Sequence, residues 1–116
     1  MENEVDQDIA TFSFEGSRAI VLRGDWDVSN RDRLREALLS LGVQSDVLMD
    51  LREARFFDST ALAELIGLYK RLTDRARRLE ALVGGSNMRR LLELTSLDGL
   101  FGVSGERARY LEQRLP

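Results

Sequence analysis

VLMDLREARFFDSTALAELIGLYK, residues 47–70, changes its apolar period once, and that change decides the fold. Val47, Leu48, Met49 and Leu51 make a short apolar run of the kind a buried strand carries. The strand is read as Asp46 to Leu51, with Arg52 to Arg55 as a polar connection and Phe56-Phe57 delivering the chain to Asp58. From Ser59 the period is helical. Leu62, Leu65, Ile66, Tyr69 and Leu72 share one face, with Glu64, Lys70 and Arg71 away from it. A strand that runs straight into a long amphipathic helix is the building unit of an α/β layer.

Outward from this junction the same alternation continues. Thr11 to Phe14 and the more continuous Ala19-Ile20-Val21-Leu22 run read as a β-hairpin turning at Gly16-Ser17, its second strand the more buried. Gly24 is expected to end that strand, and Asp25-Trp26-Asp27-Val28 to form a loop with a partly exposed Trp. Ser29 with Asp32 three residues later resembles an acidic capping box, so a helix is expected from there. Leu34, Ala37, Leu38 and Leu41 fill it, and Gly42 stops it. Leu79 to Val83 is a further strand and Gly84-Gly85 a turn. Ser86 opens a short helix with Met88, Leu91 and Leu92 inside. A last strand around Phe101 and a terminal helix capped by Ser104 complete the pattern. The order predicts a mixed sheet, parallel wherever a helix crosses over. One domain is expected over residues 9–116, after a flexible acidic tail at residues 1–8.

Composition narrows the function. The 116 residues are 43% hydrophobic and 32% charged, an ordinary globular balance, and the net charge of -3 argues against a nucleic-acid partner. Cys and His are both absent, which excludes disulfides and thiolate metal sites and removes the commonest general base. No run approaches transmembrane length and the amino terminus is acidic, so a cytoplasmic protein without a membrane partner is expected.

Asp58-Ser59-Thr60 places two hydroxyls beside a carboxylate at a helix start. The plain alternative is that Asp58 or Ser59 merely caps the helix. Without His the group is a poor catalytic site but a good phosphate acceptor for a kinase supplied by another protein. A phosphate there would face the positive end of the helix dipole, and the domain should stay folded. Asp25-Trp26-Asp27 is the second candidate, expected next to Ser59. Its carboxylates could hold a Mg²⁺ borrowed with a nucleotide, or repel a phosphate. Paired carboxylates for sugar hydrolysis are a weaker reading in so small a chain. Gly84-Gly85-Ser86-Asn87 could bind an anion, yet lacks the lysine of a phosphate loop. Arg75, Arg77 and Arg78 read as a solvated face.

LRGDWDVSN (22–30), VLMDLREARFFDSTAL (47–62) and MRRLLELTSLDGLF (88–101) occur in an order that resembles the STAS domain family, and within it the bacterial anti-sigma factor antagonists. The resemblance covers the chain from about Thr11 to Leu115. It implies a STAS-like mixed β-sheet of about four to five strands flanked by about four helices. It implies a regulator, not an enzyme, with neither metal nor cofactor of its own. Such a protein binds an ATP-dependent anti-sigma kinase, frees a sigma factor, and is disabled when the kinase phosphorylates it. A phosphatase then restores it. Carried over, the acceptor is Ser59, with Thr60 as the alternative, and Asp27 matches the acidic loop position near the acceptor. The partner surface is expected to include Asp58, Thr60, Asp25, Trp26, Asp27, Ser29 and Glu64. Thr60 and Ala61 stand where the family usually has Ser and Gly. A rival reading is a STAS subunit of a larger assembly, such as a stress-sensing scaffold or the accessory subunit of a lipid ABC transporter, without a phosphate cycle.

Overall fold

The computed structural model describes residues 8–84 and 86–95. The expected tail, the Gly84-Gly85-Ser86-Asn87 anion loop, the strand around Phe101 and the helix after Ser104 lie wholly or partly outside them.

Strands β1 (Ile9–Phe14) and β2 (Ser17–Trp26) form an antiparallel hairpin. Glu15 and Gly16 make its two-residue turn, both at positive φ (50° and 84°), the geometry whose twist matches paired strands. A 3-10 turn (Val28–Asn30) and helix α1 (Arg31–Ser40) lead to β3 (Val47–Phe57), which lies parallel to β2. Helix α2 (Ser59–Thr73) crosses to β4 (Leu79–Leu82), parallel to β3, and α3 (Ser86–Leu94) follows. The sheet order is β1-β2-β3-β4, the mixed sheet the alternation predicts.

Ile20, Leu22, Met49, Leu51 and Phe57 on one face meet Leu34 and Leu38 of α1, Leu65, Leu68 and Leu72 of α2, and Met88 and Leu92 of α3. The other face holds a smaller cluster of Phe12, Ala19, Val21, Leu48 and Leu82. Among the described residues no helix is long and apolar enough to cross a membrane.

The structure corrects the sequence reading in four places. First, β3 does not stop at Leu51. Between Val21 and Arg23 of β2 the partner steps from Asp50 to Glu53, and between Gly24 and Asp25 it steps from Ala54 to Phe56. Each step leaves one extra residue on β3, a bulge. Buried residues therefore recur every third position, at Leu51, Ala54 and Phe57, and a period-two template misses the strand. Second, Gly24 does not end β2; at φ +83° it sits where the pairing shifts, and the strand runs on to Trp26. Trp26 is 0% exposed, not a loop residue.

Third, the capping box is Asp27 with Asn30, not Ser29 with Asp32. Asp27 caps the 3-10 turn and the Asn30 side chain takes the Asp27 amide at 2.8 Å. The α-helix begins only at Arg31, and its own cap Asn30 makes no side-chain bond to it. Fourth, the fully buried stripe of α2 is Ala61, Leu65, Leu68 and Leu72, while Leu62, Ile66 and Tyr69 are only partly buried. The buried face is thus centred nearer Leu68 than Ile66.

Candidate functional site

The carboxyl ends of β2 and β3 are joined by one bond. The Asp58 amide donates to the Trp26 carbonyl at 3.0 Å, and Trp26 and Phe57 are register partners. Asp27 and Asp58 thus leave the sheet side by side, where open α/β layers place their functional groups.

Asp58 is the N-cap of α2. Its Oδ1 accepts the Ala61 amide at 2.9 Å, and its carbonyl accepts the Leu62 amide at 2.9 Å. Since Asp58 does the capping, Ser59 has no such duty. Ser59 is the first helical residue and is exposed, and its hydroxyl has no hydrogen-bond partner among the described residues. Thr60 is half-buried. Ala61 is wholly buried in the core, so its methyl group is no part of the surface an approaching enzyme meets.

Across from this start, the Asp25 to Asn30 segment is tied by its own side chains. Asn30 Nδ2 donates to the Asp25 carbonyl at 2.9 Å, and the Ser29 amide and hydroxyl both donate to Asp27 Oδ1. The Ser29 hydroxyl foremost, then the Ser29 amide, with a smaller part from the Asn30 amide, hold the Asp27 carboxyl below the usual carboxylate range, against slight desolvation. A lowered folded-state pKa means that Asp27 contributes stability above its unfolded pKa of about 3.9, and that this is lost as pH falls through the folded value. The expected result is a carboxyl titration of Asp27, followed by NMR, with its midpoint below that of Asp in an unfolded peptide. Ser29→Ala should move it back upward; a midpoint unmoved by that change would contradict the assigned cause.

Sequence reasoning missed two members of this cluster. Arg55, read as part of a connection, pairs with Asp25 at 3.3 Å. Asn30 locks the turn, and the Asp27-x-x-Asn30 spacing was the signal for it. Trp26, expected on the partner surface, is instead buried: it lies in the core, with the Arg33 guanidinium 5.8 Å from its ring centroid. Its Nε1 is buried without a hydrogen-bond partner among the described residues. Glu64 is largely buried beside α1 and pairs with Arg35 at 3.6 Å. Ser29 is exposed, though its hydroxyl is bonded to Asp27. Asp25 is held by Arg55, and no group of three or more possible metal ligands exists among the described residues. The run at Arg75, Arg77 and Arg78 is exposed, with Arg78 paired to Glu80 at 3.2 Å.

The described residues thus form a four-stranded mixed α/β module with helices over one face, a hydroxyl at the α2 start and a capped acidic turn beside it. The family model described as "Mlab, STAS domain" matches residues 10–103, and the chain belongs to the STAS domain family. Its fold is similar to that of an anti-sigma factor antagonist from Mycobacterium paratuberculosis, with a TM-score of 0.77 at 21% identity, covering 90% of this chain and 91% of that one. It is also similar to the anti-sigma factor antagonist SpoIIAA in its unphosphorylated form (TM-score 0.66, 16% identity, 92% and 96% covered). Phosphorylated SpoIIAA from Bacillus gives a TM-score of 0.60 at 18% identity, with 93% and 99% covered. At these identities the likeness is one of fold. No curated protein sequence matches the chain.

Proposed function

We propose that the protein is an anti-sigma factor antagonist: a partner switch that binds an anti-sigma kinase, releases a sigma factor, and is inactivated by phosphorylation at Ser59. The observation that carries this reading is the exposed hydroxyl of Ser59, without a hydrogen-bond partner among the described residues, at the first position of a helix already capped by Asp58. Thr60, half-buried one residue on, is the lesser acceptor. Solved relatives in fold are named as antagonists, one of them in both phosphorylated and unphosphorylated forms.

The physics supports a switch that acts at the partner surface and leaves the fold alone. A phosphate on Ser59 gains from the α2 dipole. Facing a carboxylate ~6 Å away at an effective dielectric of ~20, its two charges cost about 5 kcal/mol before screening. A third of that weakens a complex by more than tenfold. A phosphatase resets the cycle.

Incubation with candidate anti-sigma kinases and ATP, followed by mass-spectrometric mapping, should place the phosphate on Ser59 and show none in Ser59→Ala. Ser59→Asp should weaken the kinase complex at least tenfold with an unchanged circular dichroism spectrum. Unmodified Ser59 under every kinase tried, or full binding by Ser59→Asp, sinks the switch. The matched family model is named for Mlab and not for an antagonist, which favours, as second reading, a STAS subunit held in a larger assembly. In that case Ser59→Asp leaves the assembly intact.

A further inference from the structure

Two large apolar side chains stand in water at the same end of the sheet as Ser59: Phe56, 49% exposed, and Val28, 70% exposed. A single exposed apolar residue needs no explanation. Phe56 differs because the backbone has been shaped to present it. After Ala54 faces the core, strict alternation would turn residue 56 inward; the second bulge puts both Arg55 and Phe56 outside and returns only Phe57 to the core. Bulges beside functional sites commonly re-aim a side chain in this way. Phe56 is the register partner of Asp25, and Val28 lies three residues beyond Asp25. Val28 is held outward by the Asp27, Ser29 and Asn30 bonds that fix its turn.

The rim around these two residues carries both signs, but its cations Arg55 and Arg31 are already paired, with Asp25 and Asp32. Neither Asp27 nor Asp58 has an ion-pair partner among the described residues, and the Asp25 charge is taken up by Arg55. We infer that, given the partner-binding reading above, Phe56 and Val28 form the apolar centre of a protein-docking surface. Its occupant is a partner protein presenting an apolar socket bordered by Arg or Lys, the socket for Phe56 and the cations for Asp27 and Asp58. An aromatic anchor seated in a pocket and ringed by polar contacts is the usual form of an interface hot spot. The charged rim governs encounter more than hold. Phosphorylation of Ser59 then adds charge three residues from the anchor, within the same footprint.

The test is photo-crosslinking in living cells from p-benzoylphenylalanine placed, in the full chain, at position 56, at 28 or at 39. Leu39 is 53% exposed but sits in the last turn of α1, away from the site, and serves as the control. Positions 56 and 28 should yield an adduct with the same protein and position 39 should not. With that protein purified, Phe56→Ala should weaken the complex about thirtyfold and Val28→Ala about threefold, both with native circular dichroism. Asp27→Asn should slow association more at low salt than at high salt. No shared adduct, or a complex indifferent to Phe56→Ala, overturns the surface. The two readings separate cleanly. An adduct with a protein that is no kinase, sensitive to Phe56→Ala, keeps the surface and removes the phosphate cycle; a kinase that modifies Ser59 but ignores Phe56→Ala does the reverse.

Discussion

Trp26→Ala should lower the unfolding free energy by about 4 kcal/mol, read as a shift in urea midpoint without loss of slope. Trp26 is 0% exposed and lies in the larger core cluster with Leu34 and Phe57. Truncation removes the transfer energy of a bicyclic ring and leaves a cavity between β2 and α1. For a domain whose total stability is of order 5–15 kcal/mol, that is a large fraction. Trp26→Phe separates packing from polarity. The buried Nε1 has no partner among the described residues, and an unsatisfied buried donor costs about 1–3 kcal/mol. Replacing it with a smaller apolar ring removes that burden while opening less space, so the expected net loss is about 1 kcal/mol. A Trp26→Phe loss of about 3 kcal/mol would mean that the indole nitrogen is satisfied after all.

Asp50→Ala should cost about 3 kcal/mol, the low end for breaking a buried pair. Asp50 is 2% exposed, in register with Val21 and Leu82 on the apolar face opposite the helices. Its Oδ1 takes the Arg52 amide at 3.0 Å and Arg52 Nε at 3.3 Å. Arg52 falls within the first bulge of β3, where the extra residue leaves the ladder, so the carboxylate supplies the acceptor that the neighbouring strand does not. The Arg52 side chain is 37% exposed and can turn to water once its partner is gone, which keeps the penalty from rising further. Asp50→Asn retains an acceptor and should lose about half as much. Asn as costly as Ala would show that charge, not the amide bond, is what matters there.

Much of the fold was legible in the chain. The hairpin, the crossover helices and the β3–α2 junction each follow from a clean period, and such signals survive folding because burial reinforces them. Residues 52–57 were not legible because register shifts are set by the partner strand, and no local pattern records them. Trp26 was misplaced for a related reason: Gly24 and two flanking Asp residues spell a turn, while tertiary packing makes the segment a strand end. The shift of the α2 stripe from Ile66 toward Leu68 depends on where α1 lies, which one helix cannot disclose. At the site, the adjacency of Asp27 and Asp58 followed from treating β2 and β3 as neighbours. Arg55 and Asn30 were overlooked, since an ion pair across thirty residues leaves no mark on spacing. Glu64 looked free only because its cation, Arg35, sits on a different helix.

The two additional residues in β3 have a consequence for chain length. From Leu51 to Phe57 the strand counts by threes, and α2 begins two residues after the count ends. Losing or gaining one residue between Arg52 and Phe56 would throw Phe57 out of the interior and swing the following helix, with its leading hydroxyl, to the wrong side. This stretch should therefore tolerate many exchanges of side chain and almost no change in its number of peptide units.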